Sequence, residues 1–299
     1  MRFSLMCGGI LLLTALRASL SLAAEPAPPA GLEMEDEVVV QAWHPSPAQI
    51  DDFVREALPT KGAKQLARWY RPVCTVVLGL PPAQAALVQH RLQAAATGPA
   101  ELPPPRPGCK PNIAIFATDD PDGLIEGLIQ RYPTIYRPDL TGEFRRILAK
   151  PRDAGGAIRV WYRTVTTSSV GLSPEMAGEG GRVTPVFSSV FASRIVIPVR
   201  SEMLRVLMIL DPRQVQGRGV EAVADHMAML ALGQFDGDVA AGIPTILNLF
   251  SGDPAVMPTV MTEWDKTMLR GLYAAQEDRT IWSQRRDVVR HMREAIEKP

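Results

Sequence analysis

Apolar residues recur at Ile50, Phe53, Val54 and Leu58, the spacing of a helix packed on one face, and Ser46 stands at its N-cap position. Val73–Leu80 is a continuous apolar run and reads as a buried strand. Residues 81–96 return to the helical period, with Pro82 in the first turn and Leu87, Val88, Leu92 and Ala95 on one side. ELPPPRPG at 101–108 is an irregular loop, Asn112–Ala117 a second buried strand, and Pro121–Gln130 another helix. This strand–helix–strand–helix order predicts an α/β sheet that is locally parallel. Ala157–Thr167 alternates as a strand with Ile158, Val160 and Tyr162 on one face, and residues 168–182 form a Gly- and Ser-rich excursion expected to be flexible. Ser193–Val199 and Met203–Leu210 read as two strands joined through Pro198–Glu202. Val220–Leu232, Thr262–Tyr273 and Ile281–Ile296 are helices, the last two closing the chain.

The N-terminus departs from this pattern. Arg2 precedes the short apolar run Leu5–Leu16, and small residues cluster around Ala23 and Ala24, the layout of a cleaved secretory signal over residues 1–24. The run is too short to span a bilayer comfortably, and Arg17 stands directly after it. Residues 25–45 read as a Pro/Ala-rich linker with one edge-strand candidate, EDEVVVQA at 35–42. A single domain over 46–299 is expected, with lobes at about 46–233 and 234–299. No later segment is long and apolar enough to cross a membrane. Periplasmic or secreted location is the expectation.

With 32 basic and 32 acidic residues the net charge is zero, which removes any electrostatic case for nucleic acid or anionic lipid as a partner. Cleavage of the signal would leave Cys74 and Cys109, an even count that favours a disulfide in an exported chain. Each cysteine precedes a strand-like run, so neighbouring strand starts would bring them together; two buried thiols are the alternative. No Cys-x-x-Cys pair supports redox catalysis or a cysteine zinc site.

Several other constellations are structural. DDPDG at 119–123 lacks the alternating ligands and distal glutamate of a calcium loop and suits the cap of the helix from Pro121. There is no G-x-S-x-G elbow and no phosphate loop. Ser168, Ser169, Ser173, Ser188, Ser189 and Ser193 sit in or near the segment expected to be flexible, and their abundance does not mark a nucleophile. Arg285, Arg286, Arg290 and Arg293 read as a solvated helix face.

The remaining candidate is HMAMLALGQFD at 226–236. The zinc-protease pattern HExxHxxGxx(H/D) lies over it without a gap. His226 stands at the first ligand position, Gly233 at the glycine that ends the helix, and Asp236 at the third ligand position. Met227 replaces the catalytic glutamate and Leu230 the second histidine. His226 and Leu230 share a helical face, but Leu230 cannot coordinate and Met227 cannot take a proton from bound water. On the helix alone, His226 is a half-buried histidine beside the stripe Val220, Val223, Ala224, Met227, Leu230 and Ala231. His44, His90 and His291 offer no evident replacement ligand.

Two segments downstream strengthen the resemblance. Thr245-Ile246-Leu247 within PTILNLF resembles the tight turn beneath the metal in metzincins, with Leu247 in place of the methionine. Met261-Thr262-Glu263-Trp264-Asp265, leading to Leu272-Tyr273, is similar to the closing helix of matrixin-type proteins. Upstream, the strand–helix–strand order matches the opening of zincin-like domains. Over roughly 65–275 the chain therefore resembles exported bacterial families of unknown function with eroded zinc motifs. The resemblance implies an α/β (α+β) zincin-like fold: a mixed sheet packed on helices, with a helical C-terminal lobe. It implies no metal or other cofactor at His226, Met227, Leu230 and Asp236, and no catalytic residue. The first functional expectation is a pseudoprotease that binds an extended peptide or envelope protein. The alternatives are a hydrolase of altered mechanism using His226 and Asp236, or a structural envelope protein acting through its C-terminal helices.

Overall fold

The computed structural model describes residues 45–58, 64–132, 156–168, 175–179, 182–186, 197–235, 239, 242–251 and 257–297, within a compact unit that begins at His44. The expected signal and linker, most of the serines, His44 and Asp236 lie outside the described residues. The elements are α1 (Pro47–Ala57), β1 (Thr75–Leu78), α2 (Pro82–Thr97), β2 (Ile113–Ala117), α3 (Pro121–Arg131), β3 (Ile158–Ser168), β4 (Glu175–Glu179), β5 (Arg182–Val186), β6 (Val199–Leu210), α4 (Val220–Leu232), a 3-10 turn (Ile246–Asn248), α5 (Glu263–Ala274) and α6 (Ile281–Glu297).

The fold is a mixed-sheet α/β fold. The main sheet has the order β1-β2-β6-β3; β1, β2 and β6 are mutually parallel, and β3 runs antiparallel at the edge. Ile113, Ile115, Ile158, Val160, Val206, Met208 and Leu210 face a core shared with α2 and α4, whereas Trp161, Leu207 and Ile209 face Ile125 and Ile129 of α3. Covered on both faces, β6 buries every residue from Val206 to Leu210, which is why its sequence is continuously apolar. No helix among the described residues is long and apolar enough to cross a membrane.

Four expectations change. The apolar run 73–80 forms only the short strand β1 at a sheet edge, where Val77 alone is buried and Leu78 is exposed. Of the two strands expected over 193–210, the first, 193–199, falls mostly outside the described residues, and the second is β6, which starts earlier than expected, at Val199. The residues placed in a connection, Arg200–Glu202, instead pair with Val165–Thr167 of β3, and the irregularity falls at Arg163/Thr164 on the partner. The excursion at 168–182 includes strand β4, which pairs with β5 as a hairpin. Arg285, expected on a solvated face, is buried: its Nη2 donates to the carbonyls of Val54, Arg55 and Leu58, closing the C-terminus of α1. Periodicity marks a helix's apolar stripe, but not a neighbouring helix end that needs donors.

Local signals at helix starts hold. Ser46 and Gln49 form a capping box on α1, and Asp120 accepts from the Gly123 N–H at the start of α3. Cys74 and Cys109 are joined by a disulfide, with Cα atoms 6.2 Å apart. Asn112 bonds the same place, its Oδ1 accepting from the Cys74 N–H at 2.7 Å. Replacing both cysteines with serine is expected to lower stability by about 2–4 kcal/mol, read as a lower denaturant midpoint; an unchanged midpoint would remove the bridge from the stability account.

Asp211 ends β6, and Arg213 bonds hold its carboxyl at about 2, below the ordinary 3.8. Because the folded value is the lower one, this group stabilises above the unfolded value, and its contribution disappears as pH falls through about 2. Asp211→Asn should remove that part of the acid limb, so wild type and variant should converge in stability below about pH 2 and separate above pH 4; parallel pH curves would refute this assignment.

Candidate functional site

Helix α4 carries the degenerate motif. Each residue from Ala222 to Leu232 is buried, so the helix is a central core element with no polar face. His226 is 2% exposed, not half-buried as the helix pattern alone indicated. Its Nδ1 lies 2.8 Å from the Ile246 carbonyl, and its ring meets Phe250 edge-on with centroids 5.0 Å apart. A carbonyl can only accept, so Nδ1 carries a proton and donates it to Ile246 O.

The turn that receives His226 is the Thr245–Leu247 segment singled out in the sequence. It is fastened by Asp265. The Thr245 hydroxyl donates to one carboxyl oxygen at 2.5 Å, and the Ile246 N–H donates to the other at 3.0 Å. That second oxygen also accepts from the Thr262 N–H at 2.9 Å, within the capping box of α5. One carboxyl thus starts a helix and fixes the turn. Burial raises its pKa, despite the opposing pull of the Thr245, Ile246 and Thr262 donors.

Asp225, beside His226, is 3% exposed and belongs to a different junction. It takes a two-point ion pair from Arg91 of α2, including Nε to Oδ1 at 2.7 Å, and accepts from the Met261 N–H at 2.5 Å. Adjacent polar residues of α4 therefore anchor it to α2 and the lead into α5 on one hand, and to the 245–247 turn on the other.

The C-terminus of α4 is buried and needs donors for its last carbonyls. Three aromatic residues supply them. Tyr162 Oη donates to Leu230 O at 2.8 Å, Trp69 Nε1 to Ala231 O at 2.8 Å, and Tyr273 Oη to Leu232 O at 2.8 Å. Gly233 ends the helix in extended backbone, so left-handed freedom is not its role. A Cβ there would lie 2.3 Å from the Phe235 ring, and close packing excludes a side chain.

Trp69 belongs to a strap, residues 64–71, that sequence reasoning passed over. Arg68 Nη1 donates to the Leu272 and Tyr273 carbonyls at the end of α5, at 2.6 and 3.2 Å. Gln65 Nε2 reaches the carbonyls of Val199, Glu277 and Arg279 at 2.7, 2.9 and 3.1 Å. The dense Arg-Trp-Tyr composition before a strand was the available signal. Trp69→Phe retains the ring but strips Ala231 O of its donor in a dry site. A loss of about 1–3 kcal/mol is expected, and a melting temperature equal to wild type would count against it.

Met227 is 0% and Leu230 3% exposed. Met227 borders a cavity of about 280 Å³ between α2 and α4, lined also by Val88, Leu210, Val220 and Val223. A larger cavity, about 590 Å³, lies beside the strap, bordered by Trp69, Tyr70, Glu101, Tyr273, His291 and Glu294. Glu101 there, four residues beyond the end of α2, adopts φ +52°, a left-handed backbone conformation that glycine takes more readily. His90 is exposed on α2 and His291 half-buried on α6, each on an element other than α4. Among the described residues, no three His, Cys, Asp or Glu side chains converge on a point that could hold a metal. The motif positions described on α4 offer one imidazole, His226, beside the thioether of Met227 and the alkyl group of Leu230, and Asp236 lies outside the described residues. No protein-family model, no curated protein and no solved structure matches this chain.

Proposed function

We propose that this chain is an exported cell-envelope protein with a degenerate metalloprotease-like core, acting by holding an extended peptide or a protein partner without cleaving it. The observation that carries the reading is at α4. His226 is fastened to Ile246, in the very turn that the metzincin resemblance puts beneath a metal, while Met227 and Leu230 fill the positions of base and ligand with buried apolar groups. A supporting turn kept without its metal chemistry is what an eroded protease core would retain.

The sheet supports the binding role. Among the described residues β3 is the terminal strand of the order β1-β2-β6-β3; it is 11 residues long, with Arg163, Thr164 and Thr166 exposed. An extended peptide laid along Arg163–Thr167 would gain main-chain hydrogen bonds and needs no metal. The disulfide and the apolar run Leu5–Leu16 support export. The test adds a library of extended peptides to mature protein and follows amide exchange and cleavage together. Slower exchange at Arg163–Thr167 with intact peptides is expected. Cleaved peptides would replace this reading with the altered hydrolase using His226 and Asp236, and unchanged exchange would remove strand addition.

A further inference from the structure

The loop after α2 has features that neither the core nor the β3 edge uses. Leu102-Pro103-Pro104-Pro105-Arg106-Pro107-Gly108-Cys109 contains four prolines in eight residues. Proline fixes its own φ near −65°, and each residue preceding a proline is driven to extended or polyproline backbone. Leu102, Pro103, Pro104 and Arg106 all precede prolines, so the segment is steered towards a left-handed polyproline helix by covalent geometry alone. There is no cis peptide bond among the described residues.

Both ends are anchored. Leu102 is buried, and its N–H donates to Ala96 O at 2.8 Å. At the other end the Cys109 N–H donates to Arg106 O at 3.1 Å, closing a turn with Pro107 second and Gly108 third at φ +70°. Those residue types and that φ specify a type II turn, whose second position is itself compatible with polyproline backbone. The disulfide then ties Cys109 to the start of β1.

Between these anchors the loop faces solvent. Pro103, Pro104, Arg106, Pro107, Lys110 and Pro111 are exposed. Only Arg106 and Gly108 retain an N–H between Leu102 and Cys109, so the segment cannot join a sheet ladder. Pro104 and Pro107 are three apart, one polyproline turn, and share a face. Arg106 has no ion-pair partner among the described residues and stands beside that face.

We infer that Pro103–Pro107 is a pre-ordered docking segment for a protein module with an aromatic-lined, proline-binding groove and carboxylates flanking it for Arg106 and Lys110. Such grooves take exposed polyproline segments because little chain entropy is lost on binding. The disulfide and the Leu102 anchor lower that loss further.

The test titrates labelled mature protein with two purified probes, an SH3 domain and a WW domain, and follows the amides of Arg106, Gly108 and Lys110. Saturable shifts confined to the loop are expected with at least one probe. Pro104→Ala with Pro107→Ala should weaken binding roughly tenfold, and Arg106→Glu should weaken it by a similar factor, equivalent to about 1.4 kcal/mol each. Arg290→Glu, an exposed change on α6 outside the loop, should change nothing. All these sites are exposed, so unchanged melting temperatures establish that the variants are folded. No saturable binding to either probe, or equal binding by wild type and the double proline variant, overturns the proposal.

Discussion

Asp265→Ala is expected to lower the unfolding free energy by about 3–5 kcal/mol. The carboxyl is fully buried and accepts from the Thr245 hydroxyl, the Ile246 N–H and the Thr262 N–H. Alanine would leave those donors dry and unmatched at two places at once, the turn beneath His226 and the first turn of α5. Asp265→Asn separates shape from charge. Turned so that its carbonyl oxygen faces the two N–H groups, the amide can donate to Thr245 Oγ1, and the loss should shrink to about 1–2 kcal/mol. The pH dependence carries its own sign. Burial raises the folded-state pKa, so the folded protein holds this proton more tightly than the unfolded chain. Stability from this group is greatest at low pH and declines as pH rises from the unfolded value, about 3.9, towards the folded one. The asparagine variant should lack that decline. Denaturation curves from pH 3 upwards decide the matter; an alanine variant within 1 kcal/mol of wild type would show that the turn does not depend on Asp265.

Rebuilding the protease motif should have an effect of similar size. Met227→Glu with Leu230→His introduces a carboxylate and an imidazole into sites that are 0% and 3% exposed. Without metal the double variant is expected to lose on the order of 3–5 kcal/mol, from lost packing and buried polar atoms. If residues 226–236 follow zincin geometry, zinc bound by His226, the new histidine and Asp236 should recover part of that loss, because a ligand that binds only the folded state stabilises it. The melting temperature should therefore rise with zinc in the variant and stay constant in wild type. A folded variant that melts identically with and without zinc would end the zincin reading, while leaving the proline-segment proposal untouched.

The sequence by itself determined the elements whose signals are local. Ser46, Asp120 and Thr262 are capping residues wherever they precede a helix, and α4 ran over the expected Val220–Leu232 because its apolar stretch has one beginning and one glycine stop. The disulfide was legible too, since each cysteine precedes a strand-like run and the strands proved to be neighbours. The candidate site was legible only as far as residue type. That Met227 and Leu230 cannot do metalloprotease chemistry follows from their side chains, but that His226 is sealed against Ile246 does not, because the two stand 20 residues apart and meet only when the chain closes. The tertiary structure alone decided the fate of polar groups that one helix end must borrow from distant segments: Trp69, Tyr162 and Tyr273 converging on the last carbonyls of α4, and Arg285 reaching the end of α1. Hydrophobic period reports which face of an element turns inward. It is blind to which partner satisfies a buried hydrogen bond, because that depends on three-dimensional proximity, and the strap 64–71 lay beyond its reach for the same reason.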